Sequence, residues 1–212
     1  MISRLPAPDA SRNAPPRILS KVRKLRTKAF MTCQAFQLEP GHYWKARPGH
    51  RILIVDNGAV RFDFPRDWTL YSRPAYACLL DKTAVDYSCA VTVSAKRLPI
   101  STAPIPLEGY LREIAQTDDL EEASSSDAVR IFRPPLEAGW VELRFMDPVQ
   151  RREARKRVCI ARAGLTRAVI TFDFWPEDEL RHFWSWNTIL ETLVVGDYIE
   201  DPLTGRRREQ RG

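Results

Sequence analysis

The most informative stretch of the chain is residues 59–68, in which apolar and polar side chains alternate. Two phenylalanines flank Asp63, and this period of two is typical of a half-buried strand. Pro65 cannot donate a hydrogen bond to a strand ladder, so it ends the run. Trp68 follows where we expect the chain to turn back onto the core.

Further alternating or Val-, Ile- and Thr-rich runs predict the rest of a sheet. Asp56-Asn57-Gly58 is a strong tight-turn sequence and predicts a hairpin that ends in the run described above. The last three strands form an antiparallel meander. The predicted strands besides the opening run cover residues 51–55, 76–80, 87–97, 128–132, 140–146, 152–163 and 166–175.

Two segments have helical periodicity. Residues 107–116 place Leu107, Tyr110 and Leu111 at helical intervals. A last helix starts at Pro176, has an acidic first turn, and ends at Gly196. Its apolar face is assigned to Leu180, Phe183, Trp186, Ile189, Leu190, Leu193 and Val194. Strands outnumber single helices, which predicts an α+β fold with an antiparallel β-sheet flanked by helices.

The positive charge is confined to one end of the chain. The 212 residues carry a formal net charge of +6, but residues 1–30 hold eight cationic side chains against Asp9 alone. Residues 31–212 therefore lack the excess that a nucleic-acid-binding body needs. We predict a disordered basic arm at 1–30, or a translation start at Met31, then one α+β domain at 31–199 and a flexible tail at 200–212.

Several patterns predict a cytoplasmic protein. The sequence contains no run of about 18 apolar residues, the length that a membrane-spanning helix needs. The basic N-terminus also lacks the apolar segment of a secretory signal. The four cysteines show no Cys-x-x-Cys pair and, apart from Cys33, lie in strand-like apolar contexts. We expect reduced core thiols, with a disulfide between Cys78 and Cys89 as the alternative.

The layout resembles the PsbP-like family over roughly residues 51–195. The resemblance is carried by the aromatic-x-aromatic-Pro-x-x-Trp run of Phe62, Phe64, Pro65 and Trp68. The helix after a Val-rich strand and the closing meander followed by an amphipathic helix agree with it. The family contains an extrinsic subunit of photosystem II and a nuclear-import factor that binds the GTPase Ran. The resemblance implies an α/β/α sandwich that serves as a binding or assembly module.

No motif predicts catalysis, a cofactor or a metal site. His42 and His50 are expected to be solvated loop residues and His182 a surface residue, and no metal-ligand spacing joins them. Asp63 and Asp173 each lie between two phenylalanines, and alternation predicts that both face solvent. The alternative is a carboxylate pair that faces across the sheet.

The segment QRREARKR at 150–157 places charged side chains on both faces of a strand. A ribbon of this kind is predicted to project beyond the sheet as a solvated hairpin tip, and it offers guanidinium groups to phosphates. The exposed aromatic residues expected nearby are Trp140 and Trp184, while Trp68 and Trp186 are assigned to the core. The predicted partner-binding residues are therefore Trp140, Trp184, Arg151, Arg152, Arg155, Lys156 and Arg157.

These patterns favour a non-catalytic binding or assembly-accessory protein that contacts a protein partner. The alternative is binding of nucleic acid or an anionic membrane through the basic arm and the 151–157 hairpin. The two differ in salt dependence, because phosphate contacts weaken steeply with added salt.

Overall fold

The computed structural model describes residues 33–36, 42, 44–83, 86–99, 106–115, 124–201 and 204–207. The predicted arm at 1–30 lies outside the described residues, so the predicted division into arm, domain and tail stays a prediction. Within the predicted flexible tail at 200–212, the described residues 200–201 end one short strand and residues 206–207 form another, while 202–203 and 208–212 lie outside the described residues.

A small sheet opens the fold. Its strands are β1 (Cys33–Phe36), β2 (His50–Val55) and β3 (Val60–Pro65), which the later strand β12 (Val194–Val195) joins at the edge. The predicted turn at Asp56–Gly58 is a single 3-10 turn that links β2 to β3. Gly58 has a φ of +97°, and a Cβ there would lie 2.2 Å from the carbonyl oxygen of Asp197. Only glycine therefore fits this close approach.

The large sheet consists of β4 (Thr69–Ser72), β5 (Ala77–Leu80), β6 (Cys89–Arg97), β7 (Ser124–Ser125), β8 (Val129–Arg133), β9 (Leu136–Met146), β10 (Glu153–Ala163) and β11 (Thr166–Phe174). Its strands follow the order β4–β5–β6–β11–β10–β9, and β7 and β8 both pair with β9. All strand pairings in the described residues are antiparallel. A separate hairpin pairs β13 (Ile199–Asp201) with β14 (Arg206–Arg207).

One helix covers each face of the large sheet. Helix α1 (Leu107–Ala115) packs on β9 and β10, above a core cluster that contains Leu111, Val158 and Trp175. Helix α2 (Glu179–Thr192) lies on the opposite face and packs on β3. The main core fills the space between the two sheets and α2, with Phe62 and Phe172 at its centre. The predicted α+β architecture with a helix-flanked antiparallel sheet is confirmed.

The predicted projecting ribbon is wrong. Strand β10 is a central strand that pairs with β9 on one side and with β11 on the other. The turn before it is tight, because the side chain of Asp147 accepts backbone N–H bonds from Val149 and Gln150 at 2.9 and 2.6 Å. The strand tolerates its arginines because carboxylates of β9 and α2 pair with them. Spacing along one strand does not reveal these partners.

The predicted apolar face of α2 is also wrong in its first turns. The buried stripe runs through His182, Trp186, Ile189 and Leu193, with spacings of i, i+4, i+7 and i+11. Leu180 and Phe183 lie outside this stripe and are exposed. Hydropathy alone misplaced the stripe, because a histidine occupies one of its core positions.

The predicted solvent-facing carboxylates are buried. Asp63 lies on β3 of the small sheet and accepts the backbone N–H of Arg47 at 2.9 Å. Asp173 lies on β11 of the large sheet. The phenylalanines that flank each aspartate belong to the core between the sheets, so the two carboxylates point away from that core and are not a facing pair. His42 is buried too, and its Nδ1 accepts the backbone N–H of Trp44 at 3.0 Å.

The assigned core tryptophans Trp68 and Trp186 are buried, as predicted. Cys78, Cys89 and Cys159 are free thiols, so the alternative disulfide between the first two is absent. Burial raises the pKa of Cys78 to about 11 and that of Cys159 to about 12. Across the described residues, no helix has the length and apolar character needed to cross a membrane.

Candidate functional site

The most exposed large apolar side chains on α2 form one surface, here called the α2 patch. It consists of Leu180, Phe183 and Trp184, whose exposed fractions are 87%, 43% and 74%. The rings of Phe183 and Trp184 meet edge to face with centroids 5.5 Å apart. Residues three and four apart are neighbours on a helix surface, so the three side chains are contiguous. Contiguous exposed apolar side chains are a feature of interaction sites.

Ion pairs link both ends of α2 to the loop segments that precede β10 and β2. At the start, Arg152 pairs with Glu177 at 2.7 Å, and its guanidinium lies 3.5 Å from the ring centroid of Trp175. At the end, Arg47 pairs with Glu191 at 2.8 Å. Arg133 of β8 donates to the last carbonyl oxygens of the helix, including that of Leu190 at 2.5 Å. The α2 patch is therefore exposed on an anchored helix.

A charged cluster of Glu142, Arg155, Arg157 and Glu179 lies between β9, β10 and α2. Arg157 is only 5% exposed, and it donates to Glu142 at 2.9 Å and to Glu179 at 2.8 Å. Arg155 pairs with Glu179 as well. Two carboxylates thus neutralise two guanidinium groups, which makes their burial tolerable.

Aromatic rings complete this cluster. The Arg157 guanidinium lies 4.9 Å from the Phe174 centroid and 5.6 Å from that of Trp140. Trp140 in turn meets Trp186 of α2 edge to face at 5.8 Å. The cluster therefore joins β10 to the buried side of the helix that presents the α2 patch.

The structure thus divides the predicted partner-binding residues. Trp184 and Arg151 are exposed, and Arg152 is at the surface beside the start of α2. Trp140, Arg155 and Arg157 lie beneath α2 in the contacts described above. Lys156 points to the other face of the sheet, where its Nζ lies 3.1 Å from Oδ1 of Asp173. Burial raises the pKa of Asp173, and the Lys156 charge opposes the rise.

A buried polar group escaped the sequence analysis. His182 is 3% exposed, and its Nε2 lies 3.2 Å from Ser88 Oγ and 3.6 Å from Asp81 Oδ2. The Ser88 hydroxyl donates to Asp81 at 2.9 Å. We call these three residues the His182 junction. Asp81 and Ser88 lie between β5 and β6, where the sequence offers only a short polar segment, so no signal linked them to a histidine about 100 positions away.

The residue types of the His182 junction are those of a hydrolase triad, but the geometry differs. In a triad, the histidine stands between the other two and uses a different ring nitrogen for each. Here Ser88 and Asp81 both approach Nε2. Because Ser88 gives its proton to Asp81, it accepts from Nε2–H, and that nitrogen has no lone pair with which to activate the hydroxyl. The junction therefore lacks the geometry with which a triad activates its serine.

A second surface feature is a groove of about 450 Å³ between α1 and strands β8 to β10. Its floor includes Leu107 and Ile131. Its charged side chains pair with each other, as Arg130 does with Glu108 and Arg162 with Glu137. The charged side chains that line the groove therefore satisfy one another.

The order and packing of these elements form a PsbP-like fold. The chain is similar to the solution structure of cyanobacterial PsbP (CyanoP) from Synechocystis sp. PCC 6803, with a TM-score of 0.52. The likeness covers 84% of this chain and 98% of that one at 9% sequence identity, and it concerns the fold alone. The resemblance predicted from the run that ends at Trp68 is confirmed.

The family follows from sequence similarity. The family model Alr1449 matches residues 51–199. The protein alr1449 from Nostoc sp. (strain PCC 7120) is 32% identical over 174 residues, which are 81% of this chain and 91% of that protein. The chain belongs to the Alr1449 family.

Proposed function

We propose that this protein is a non-catalytic binding protein that contacts a protein partner through the α2 patch. The observation that carries the proposal is the exposure of Leu180 and Trp184 one turn apart on a helix whose ends are tied down. A preorganised tryptophan surface binds with little loss of conformational freedom, and tryptophan is enriched among residues that dominate binding energy.

The predicted binding residues take two roles in this proposal. Trp184, Arg151 and Arg152 contact the partner, because they lie at the surface near the start of α2. Trp140, Arg155 and Arg157 hold α2 in place from beneath. Lys156 acts in the fold, through its contact with Asp173.

Two observations support the rest of the proposal. The geometry of the His182 junction argues against hydrolase chemistry at the buried Ser88. Three free thiols suit a reducing compartment, so we propose that the protein works in the cytoplasm.

The test is retention of a partner by the full chain, immobilised and exposed to a lysate of its source organism. Trp184→Ala is expected to reduce the retained protein at least about tenfold, the effect of losing a binding hot spot. Phe132→Ala is the matched control, because Phe132 is 72% exposed but lies on β8. Trp184→Ala should alter the free energy of unfolding by less than about 0.5 kcal/mol. Equal loss in both variants, or none in either, contradicts the proposal.

The same assay separates the alternative ligands. A protein held by the α2 patch should remain bound as salt rises from about 50 to 200 mM, whereas phosphate contacts lose several orders of magnitude in affinity. If the chain retains only nucleic acid or lipid, and replacement of Arg23, Lys24, Arg26 and Lys28 by glutamine abolishes this, the basic arm carries the function and the proposal is wrong.

A further inference from the structure

The size of the α2 patch limits what it binds. Its three side chains expose on the order of 400 Å², given the area of a fully exposed aromatic side chain. A stable interface of standard size buries about 800 Å² on each partner. The patch is thus too small for a stable dimer of two copies, but it matches one short segment of another chain.

The shape of the α2 patch favours a helical segment. Leu180 and Trp184 are four residues apart on the outward side of α2, and Phe183 widens the surface on one flank. Such a convex ridge packs well in the groove between the side-chain ridges of a second helix. Amphipathic helices that bind in this way place apolar anchors at positions i, i+3 or i+4, and i+7.

The charges around the α2 patch favour an acidic segment. Glu177, Glu179 and Glu191 are each engaged by an arginine. Asp178 is the half-buried N-cap residue of α2, where the positive end of the helix dipole offsets its charge. Arg181, by contrast, is exposed, and among the described residues no hydrogen bond or ion pair engages its side chain. The available charge beside the patch is therefore cationic.

The positive charge of Arg181 disfavours binding of this chain's own termini to the α2 patch. Residues 1–30 carry a net charge of +7, and residues 206–212 contain four arginines against one glutamate. A cationic segment beside Arg181 is repelled, and like charges across an interface select against a partner. Neither terminus of this chain is therefore the occupant.

Building on the proposed function, we infer that the partner presents a short acidic amphipathic helix. Its apolar side chains pack on Leu180, Phe183 and Trp184, and a carboxylate pairs with Arg181. Aromatic and aliphatic contacts supply the affinity, while the ion pair at the rim selects the partner and fixes its direction.

The experiment uses the full chain with a photoreactive benzoylphenylalanine in place of Asn187, one turn from Phe183. After irradiation in the source lysate, the crosslinked segment is sequenced by mass spectrometry. We expect a segment with apolar residues at i, i+4 spacing flanked by Asp or Glu. Arg181→Glu should lower its yield at least about fivefold, as reversal of a rim charge predicts. Lys96→Glu, an equal reversal on β6, should leave it unchanged.

A charge exchange completes the test. Replacing the acidic residue of the identified segment by arginine should restore binding to the Arg181→Glu variant, which a merely structural role of Arg181 does not explain. A protein segment that lacks acidic residues, with a yield sensitive to Trp184→Ala but not to Arg181→Glu, overturns this inference and leaves the proposed function intact. A crosslink to lipid or to a second copy, or a yield insensitive to Trp184→Ala, overturns both.

Discussion

At the residue scale, His182 brings a titratable ring into contact with one carboxylate and two other rings. Trp68 and Phe172 lie with their centroids 6.0 and 6.4 Å from it. Burial among them lowers the pKa of His182, and the nearby Asp81 charge opposes the effect. Arg181 and Lys82 lower that pKa further, whereas Asp178 raises it. The imidazole is therefore neutral in the folded protein near neutral pH.

This balance predicts a pH dependence of stability. Below the ordinary pKa of 6.5, His182 is protonated in the unfolded chain but not in the folded chain. The free energy of unfolding therefore decreases as the pH is lowered from 6.5 to the lowered pKa of the folded state. His182→Gln keeps a donor for Ser88 and removes this proton uptake. Urea unfolding at about pH 7.5, 6.5 and 5.5 should give a smaller decline for this variant than for the wild-type chain.

The control is His50→Gln, at a histidine whose Nδ1 lies 2.9 Å from the carbonyl oxygen of Pro48. It reports the effect of exchanging a histidine for glutamine outside the His182 junction. Equal slopes for wild type and His182→Gln would show that His182 does not control stability in this pH range.

Residue identity predicted some of these environments and not others. The proline and aromatic neighbours of Trp68 mark a strand end and predict its place in the core. The sequence predicts a surface position for His182, because its partners, Ser88 and Asp81, are distant in sequence. A polar side chain can be buried when a partner satisfies its hydrogen bonds. The residue pattern along one strand or helix does not show a partner that lies on another element.

At the element scale, β10 and α2 are coupled through the charged cluster. Strand β10 supplies two arginines, β9 and α2 supply one glutamate each, and Trp140 closes the space between them. Truncation of one member leaves an opposite charge with fewer partners in a buried setting. Such a truncation costs more than the intact pair contributes.

Arg157→Met is therefore expected to reduce the free energy of unfolding by about 3 kcal/mol. Adding Glu142→Leu should recover more than half of this loss, because both buried charges are then replaced by apolar groups. Denaturant unfolding of the two single variants and the double variant gives the coupling energy. Additive losses would mean that the two side chains do not act as a pair.

The sequence predicts the elements better than their faces. Strands β9, β10 and β11 follow from alternation, and the start of α2 follows from Pro176 and the acidic residues after it. The sequence does not predict the central position of β10. Charged side chains on both faces of a strand indicate solvent exposure only when no neighbouring element neutralises them. The exposure of Leu180 was missed for the complementary reason, since leucine is assigned to the core by default.

At the scale of the whole molecule, the first and last parts of the described chain meet at a crowded point. The 3-10 turn of the small sheet touches the segment after β12, where Gly58 lies against Asp197. Arg61 of β3 also pairs with Asp197, at 3.2 Å. The contact joins residues about 140 positions apart and helps to position α2, which immediately precedes β12.

Gly58→Ala should therefore destabilise the protein by more than about 3 kcal/mol, because it combines a left-handed backbone with a steric clash. Gly164→Ala is the matched control. Gly164 also has a positive φ, of +54°, but nothing lies within 4 Å of its added Cβ. It should cost about 1 kcal/mol, the backbone term alone. Similar losses in thermal unfolding would mean that the close approach to Asp197 relaxes freely.

The uneven burial of the tryptophans has an optical consequence. Trp44, Trp68, Trp175 and Trp186 are buried and Trp140 is half-buried, so Trp184 is the one indole with most of its surface in water. Iodide, which stays in the solvent, should quench the long-wavelength emission of Trp184 and little else. A ligand that covers α2 would shift this emission to shorter wavelength and shield it from iodide. The chain thus has an intrinsic, label-free signal for the occupancy of its own candidate binding surface.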